Sequence, residues 1–299
     1  MYLITGAAGG VGSVSRRVVE LLVDGGESVR AMVRRDDERA EQLRAIGAEV
    51  VIGDLTRAGD IADAMDGATR MFFNMSVSAD YLLATAEVCA VAIERGRLDV
   101  IVNMSQMTVS QMTLTSTEES RQQRLHWLAE HVLNWSGLPV IHVRATAFLD
   151  NPLFTVLAAP AIRGRDVLAL PFGTGHTSPI AANDVARVVG TLLRDPADRI
   201  GQVYELTGPQ VLDIDGLAAQ YGRALERPVT GEDVPYDEWQ RDVLAPIGLP
   251  EHVQQHIAKM ALLHREDRYN RVTDDVERIT GQPAQTVEQF VASNPDLFY

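Results

Sequence analysis

The chain begins Met1-Tyr2-Leu3-Ile4-Thr5-Gly6-Ala7-Ala8-Gly9-Gly10-Val11-Gly12: an apolar run, a glycine-rich turn, then the start of an amphipathic stretch. The apolar residues read as a strand that delivers the backbone to Gly6, where a side chain would obstruct the turn. Gly9 and Gly12 let a pyrophosphate approach the main chain and let the next helix, expected over 11–23, lie close on its strand. The unpaired N–H groups and positive dipole end of that helix face the phosphates, with Thr5, Gly10 and Val11 in the same cradle. A lone glycine pattern is weak. One that follows a strand, precedes a helix and lies in a βαβ unit of about 30 residues marks a dinucleotide site.

A second strand, over 28–33, ends at Arg34-Arg35. An NAD-selective site places a carboxylate there to grip the ribose hydroxyls, whereas two guanidiniums favour a 2′-phosphate. The cofactor expected is therefore NADP(H) in preference to NAD(H). Asp36 and Asp37 follow at once, so the arginines are also readable as a charged loop that pairs with itself.

The 299 residues are 46% hydrophobic and 23% charged, ordinary for a globular enzyme. A net charge of −14 argues against nucleic acid as a partner, since phosphate backbones need a basic surface. With no run of 18 apolar residues and no signal-like segment, no membrane partner and a cytoplasmic location are expected. The single cysteine, Cys89, falls in an apolar helical run and reads as a small core residue.

Further strand-like runs at 49–52, 70–74, 100–104 and 140–144 alternate with helical stretches, which builds an α/β doubly wound parallel sheet of Rossmann type. Ligands bind at the carboxyl ends of such strands. Asp54 and Leu55 are then placed for an adenine, and Asn74, Met75, Ser76, Asn103, Met104, Thr146 and Phe148 for the rest of a dinucleotide. Each taken singly is equally readable as a turn residue satisfying its own backbone. Ser116-x-x-Glu119 reads as a capping box that starts the helix before the sixth strand, and Gly137 and Pro139 as its stop. The segment 106–115 before it reads as a movable wall of a substrate site, with Gln106, Met107, Phe148 and Asn151 at the substrate, or as an ordinary solvent loop.

Together these pieces resemble the NmrA-like family, an atypical branch of the short-chain dehydrogenase/reductases. The resemblance rests on Gly6-x-x-Gly9-x-x-Gly12, Gly53-Asp54-Leu55, Gln123-x-x-His126-Trp127-x-x-Glu130, Ser136-Gly137-Leu138-Pro139 and Arg144-x-x-x-Phe148-x-x-Asn151. It continues through Ser178-Pro179-Ile180-x-x-x-Asp184-Val185-Ala186, Tyr204-x-Leu206-Thr207-Gly208-Pro209 and the segment 273–283. It implies an NADP-binding Rossmann domain, 1–151, and a smaller, mostly helical substrate or cap region, 152–299, of which 183–207 returns to the sheet. Members include reductases of quinones, azo dyes and other small molecules, and regulators that bind the dinucleotide without turning it over.

The only lysine is Lys259, with Gln255 four residues before it, so a Tyr-x-x-x-Lys pair is impossible. The corresponding helix offers Gln122-x-x-x-His126, two residues on one helical face. His126 is positioned to bond the nicotinamide ribose or to donate a proton near neutral pH; alternatively it is a partly exposed histidine beside a core Trp127. Quinone-like acceptors need little acid help, because hydride addition gives a stabilised anion. The expected function is thus NADPH-dependent reduction of a small electron-poor molecule (quinone-, azo- or enone-like), with His126 and Ser105 as catalytic candidates. The alternatives are a non-catalytic NADP(H) sensor, and an NADP-dependent epimerase, isomerase or ketone reductase.

His252 and His256 have zinc-like spacing, but Val253 stands where a metalloprotease helix needs Glu, so no metal is expected. Beyond 151, helices are expected at 152–163, 183–194, 214–225, 236–247, 250–263, 273–280 and 286–293, with one strand at 202–206. They are too short and too interrupted to bury much core alone and are expected to lean on the Rossmann edge. The terminal aromatics suggest packing, and a second subunit, giving a homodimer, is one partner for them.

Overall fold

A computed structural model describes residues 1–9 and 13–299, so Gly10, Val11 and Gly12 lie outside the described residues. Strand and helix alternate as read. The order is β1 (Tyr2–Thr5), α1 (Val14–Asp24), β2 (Val29–Val33), α2 (Glu38–Ala45), β3 (Glu49–Ile52), α3 (Ala58–Met65), β4 (Arg70–Phe73) and α4 (Tyr81–Arg95). Then come β5 (Val100–Gln106), α5 (Arg121–Trp135), β6 (Val140–Ala145), α6 (Ala159–Arg165), β7 (Val167–Leu170), α7 (Ala182–Arg194) and β8 (Val203–Leu206). The helices α8 (Ile214–Ala224), α9 (Tyr236–Trp239), α10 (Glu251–Arg265), α11 (Asp275–Thr280) and α12 (Val287–Ser293) follow, with β9 (Thr230–Asp233) after α8.

Among the described residues the main sheet has the order β3-β2-β1-β4-β5-β6-β8, parallel throughout. Its direction of winding reverses between β1 and β4, which opens a crevice at their carboxyl ends. Alternation along each strand divides the core in two. Ile4, Phe72, Val102 and Val143 pack under α1 and α7, while Leu3, Met71, Phe73 and Ile101 pack under α3, α4 and α5. Cys89 is buried on the second face, and burial pushes its thiol up to about 11.

Several expectations are corrected. The helical region contributes to a larger core than expected, in which Leu153, Phe154, Leu170, Tyr221, Trp239, Leu263 and Phe298 are buried together with Met107, Ala147 and Leu149 from the Rossmann side. A short sheet of β7 paired in parallel with β9 helps to close it. The run 152–163 is split into a π-helical turn, Leu153–Leu157, and α6, and 236–247 breaks up after Trp239. The terminal aromatic Phe298 packs edge-on against Tyr221 of its own chain at 5.1 Å between centroids.

The start of α5 is also four residues later than expected. Ser120 accepts the Gln123 N–H at 3.0 Å and Gln123 Oε1 accepts the Ser120 N–H at 2.7 Å, a capping box one turn beyond Ser116. Ser116 instead accepts the Thr113 N–H, and Glu119 pairs with Arg268 at 2.9 Å. The wall read over 106–115 is anchored in its first half: Met107, Thr108 and Val109 are buried, and Thr108 Oγ1 accepts from Gln123 at 3.1 Å. No helix among the described residues is long and apolar enough to cross a membrane.

Candidate functional site

The glycine turn after β1 is built by close backbone approach. Gly6 has φ +73°, and a Cβ there would lie 2.7 Å from the Asn74 carbonyl oxygen. The Gly9 N–H donates to the Gly6 carbonyl at 3.0 Å, folding the turn back on itself. Thr5 supports this turn from below. Its buried hydroxyl donates to the Asn74 carbonyl at 2.7 Å and accepts the Asn74 N–H at 3.0 Å, so it ties β1 to β4 and is not turned into the cradle as expected. The Asn74 amide is likewise engaged, donating to Ser15 of α1 at 2.9 Å. Ser76 is exposed across the turn, with Met75 half-buried beside it. Gly10, Val11 and Gly12 are outside the described residues.

At the end of β2, Arg34 is 73% exposed and meets Asp54, at the end of β3, at 3.2 Å. Asp36 and Asp37 do not pair with it: Asp36 pairs with Arg44 at 2.7 Å, and Asp37 caps α2 and pairs with Arg39. Arg35 is exposed. Arg39, which the sequence reading did not single out, donates to the Ala8 carbonyl at 2.9 Å, setting another guanidinium against the glycine turn. Asp54 accepts the Thr56 N–H and hydroxyl, the first of which holds its carboxyl below the usual range. Leu55 is half-buried next to it. This corner has the donors and close backbone approach that a phosphorylated ribose and a pyrophosphate require, so the residues fit a dinucleotide.

On β5, alternation decides what each expected residue does. Asn103 and Ser105 face α5. The Asn103 amide bonds His142 Nδ1 at 3.0 Å, inside the sheet rather than at the crevice. Ser105 donates to Glu130 Oε1 at 2.6 Å, and Glu130 is held bidentately by Arg144 at 3.0 and 2.6 Å. Its hydroxyl therefore serves a buried ion pair and is corrected as a catalytic candidate. Met104 is buried in the core on the opposite face, its carbonyl accepting the Tyr81 hydroxyl at 3.1 Å. Met107 is buried in the core of the helical region, not at a surface wall, while Gln106 is half-buried. After β6, Thr146 is buried with its hydroxyl unpartnered, Phe148 bridges to Ile180, and Asn151 Oδ1 accepts the Leu153 N–H at 2.9 Å.

His126 is buried and Trp127 is the half-exposed one, the reverse of the simpler reading. The His126 ring lies 4.2 Å from Tyr81 between centroids. Burial first, and the nearby His256 second, push its pKa down to about 3, so it is a neutral imidazole at pH 7 and not the neutral-pH proton donor its intrinsic pKa suggests. Its Nε2 meets Gln122 Nε2 at 3.2 Å, and its Nδ1 is buried without a partner. Gln122 Oε1 in turn accepts from the Ser78 N–H at 3.1 Å and from His252 Nε2 at 2.8 Å. His256, four residues on, bonds Ser120 at 2.8 Å, so the pair with zinc-like spacing reaches two different places on α5. Beside this cluster lies a cavity of about 670 Å³, lined by His252, Leu114, Leu125, Met112, Arg121 and Arg124 among others.

Residues 6–196 match the family model described as NAD(P)H-binding. The chain is 27% identical over 292 residues to the NAD(P)H azoreductase of Xenophilus azovorans, a match covering 97% of each. The NADPH-dependent quinone oxidoreductase QOR2 of Escherichia coli, solved with NADPH, superposes with a TM-score of 0.84 at 21% identity, covering 98% of this chain and 99% of that one. NmrA, a negative transcriptional regulator solved with NADP, superposes with a TM-score of 0.80 at 20% identity, covering 97% and 94%. The last two establish that the fold is shared.

Proposed function

This chain belongs to the NAD(P)H-binding family, and from that premise we propose that it is an NADPH-dependent reductase of a small, electron-poor organic acceptor of quinone, azo or enone type. The observation that carries the proposal is His126: buried, neutral, and with its only free ring nitrogen unpartnered. Such a ring donates a hydrogen bond but does not surrender a proton. That suits acceptors whose reduced anion is already delocalised, and is poorly suited to an ordinary ketone, whose alkoxide needs a proton as it forms. The azoreductase likeness, which spans 97% of the chain, supports the same acceptor class.

In this reading the glycine turn, Arg34 and Thr146 hold the dinucleotide, and the exposed guanidiniums of Arg34 and Arg35, with Arg39 against the turn, select the 2′-phosphate. NADPH, when bound there, would supply a hydride, two electrons and one hydrogen, for transfer to the acceptor. The His126 N–H bonds the acceptor oxygen or nitrogen on which negative charge gathers, and a proton from solvent completes the reduced product. The half-buried Phe148 and Gln106 are the candidate walls against the acceptor. Ser105, committed to Glu130, positions α5 and takes no part in bond making.

The test mixes the purified protein with NADPH and a panel of quinones, an azo dye, enones and simple ketones, and follows the nicotinamide absorbance. Oxidation with the electron-poor members but not the simple ketones, abolished in His126→Ala, is the expected result. Tight NADPH binding with no acceptor reduced would overturn the reductase reading in favour of a dinucleotide sensor.

A further inference from the structure

We propose that Gln122 and His252 are positioning residues that fix His126 as its Nδ1–H tautomer, so that helix α10 completes the reacting centre. This rests on the reading of His126 as the acceptor's hydrogen-bond donor.

The assignment follows from one bond whose direction is not in doubt. The Ser78 backbone N–H can only donate, and it reaches Gln122 Oε1 at 3.1 Å. That end of the amide is therefore the oxygen. Turning the amide over would set an NH2 group against the Ser78 N–H, donor to donor. The other end, Nε2, lies 3.2 Å from His126 Nε2 and can only donate. His126 Nε2 must then accept, and in a neutral imidazole the single proton sits on Nδ1. That Nδ1 is the atom left buried and unpartnered, so the ring's one N–H is spent on no other protein group.

His252 supplies the second lock. Its Nε2 donates to the same Gln122 oxygen at 2.8 Å, and it comes from α10, 130 residues farther along the chain. Two donors on one carbonyl oxygen hold the amide far more firmly than one, and the second is present only while α10 is docked on α5. His256, whose Nδ1 meets the Ser120 hydroxyl at 2.8 Å, fastens the same two helices one turn away. Ser120 also accepts the Gln123 N–H, so the cap of α5 and the contact to α10 share one hydroxyl. The contact between α10 and α5 thus carries one bond of defined direction, from His252 to Gln122, toward the candidate donor.

The experiment uses full-length protein with 15N-labelled histidine and long-range 1H–15N correlation spectra of the free protein at pH 8, where no acceptor is needed. His126, assigned from the signal lost in His126→Asn, is expected to show a protonated Nδ1 and an unprotonated Nε2. Gln122→Glu keeps both incoming N–H bonds but offers His126 only acceptor oxygens once ionised. The tautomer should reverse, and kcat with a quinone should fall by about 10²- to 10³-fold, the loss typical of removing one aligned donor, with KM for NADPH unchanged. His252→Ala should mix the tautomers and lower kcat, and His252→Gln, whose amide N–H can donate, should restore both. A wild-type proton on Nε2, an unreversed tautomer in folded Gln122→Glu, or equal loss in His252→Ala and His252→Gln would each overturn the proposal. Should the tautomers behave as expected while no acceptor is reduced, the reductase reading fails and the assignment of His126 stands, so the two failures are told apart.

Discussion

Acidification should unfold this protein through its buried histidines, and the loss can be worked from three rings. Burial pushes His126 down to about 3, and His256 and His264 down to about 4 each, from an ordinary value near 6.5. Their folded-state pKa values are depressed, so the unfolded chain binds protons first as pH falls. The stability they permit is fully present above pH 6.5 and is lost progressively toward the folded values. At pH 5 each ring is 1.5 units below the unfolded pKa yet still neutral when folded, which costs about 2 kcal/mol per ring. Three rings give about 6 kcal/mol, comparable to the whole stability of many domains. His142 is shifted in the same direction by burial, while Asp150, whose carboxyl burial raises, works against the trend. Urea unfolding at pH 7.5, 6.5, 5.8 and 5 should show the midpoint falling throughout, with an unchanged slope. His264 isolates the cause. Its ring stacks between Phe172 at 4.2 Å and Tyr269 at 3.9 Å, its Nδ1 bonds the Met260 carbonyl at 2.7 Å and its Nε2 has no partner. His264→Phe keeps the stack and removes the titrating group, so it should recover about 2 kcal/mol at pH 5 relative to its effect at pH 7.5. A midpoint flat between pH 7.5 and 5, or a pH slope unaltered by His264→Phe, would refute the reasoning.

Three other outcomes are expected. Arg34→Ala should weaken NADPH binding by roughly ten- to a hundredfold, the worth of about 1.5–3 kcal/mol for a charge-assisted bond, and leave NADH binding nearly unchanged; calorimetric titration with both dinucleotides checks this, and equal losses would remove the 2′-phosphate role. Ser105→Ala should cost about 1.5–3 kcal/mol in urea unfolding, because its hydroxyl donates to a buried carboxylate, while kcat with a quinone stays as in the wild type; a selective loss of kcat would return Ser105 to the chemistry. Gly6→Ala should lower both stability and NADPH affinity, since the left-handed backbone costs about 1–2 kcal/mol and the new methyl group meets the Asn74 carbonyl at 2.7 Å; thermal melts with and without NADPH measure the two effects.

The main sheet was legible because its signals are local. An apolar run before Gly6 and similar runs at 49–52, 100–104 and 140–144 need only their own residues to be read. The pairing of β7 with β9 was not, because Thr230-Gly231-Glu232-Asp233 is polar and mostly exposed and meets its partner some 60 residues back in the chain. The helix start shows the same limit in a sharper form. Ser116-x-x-Glu119 and Ser120-x-x-Gln123 are equally good capping boxes by sequence. What separates them is Arg268, 149 residues away from Glu119, which takes the carboxylate that the first box would need.

The site obeys that rule too. Gly6, Gly9 and Arg34 sit at strand ends and are readable from position alone, whereas the surroundings of Ser105 and His126 depend on what faces them across the fold. The parity of β5 turns Ser105 toward α5, and there Glu130, already clamped by Arg144, takes its hydroxyl. The spacing of Gln122 and His126 gave their shared face, but not that this face would be closed by α10. That closure buries His126 and depresses its pKa. It also recruits His252, a residue whose own spacing pointed toward metal binding. A histidine's protonation state is thus a tertiary property: it is set here by Ser78, Gln122 and His252 together, residues from three separate parts of the chain. If His126 bonds the acceptor as proposed, the kind of acceptor reduced follows from that state more than from the presence of the histidine itself.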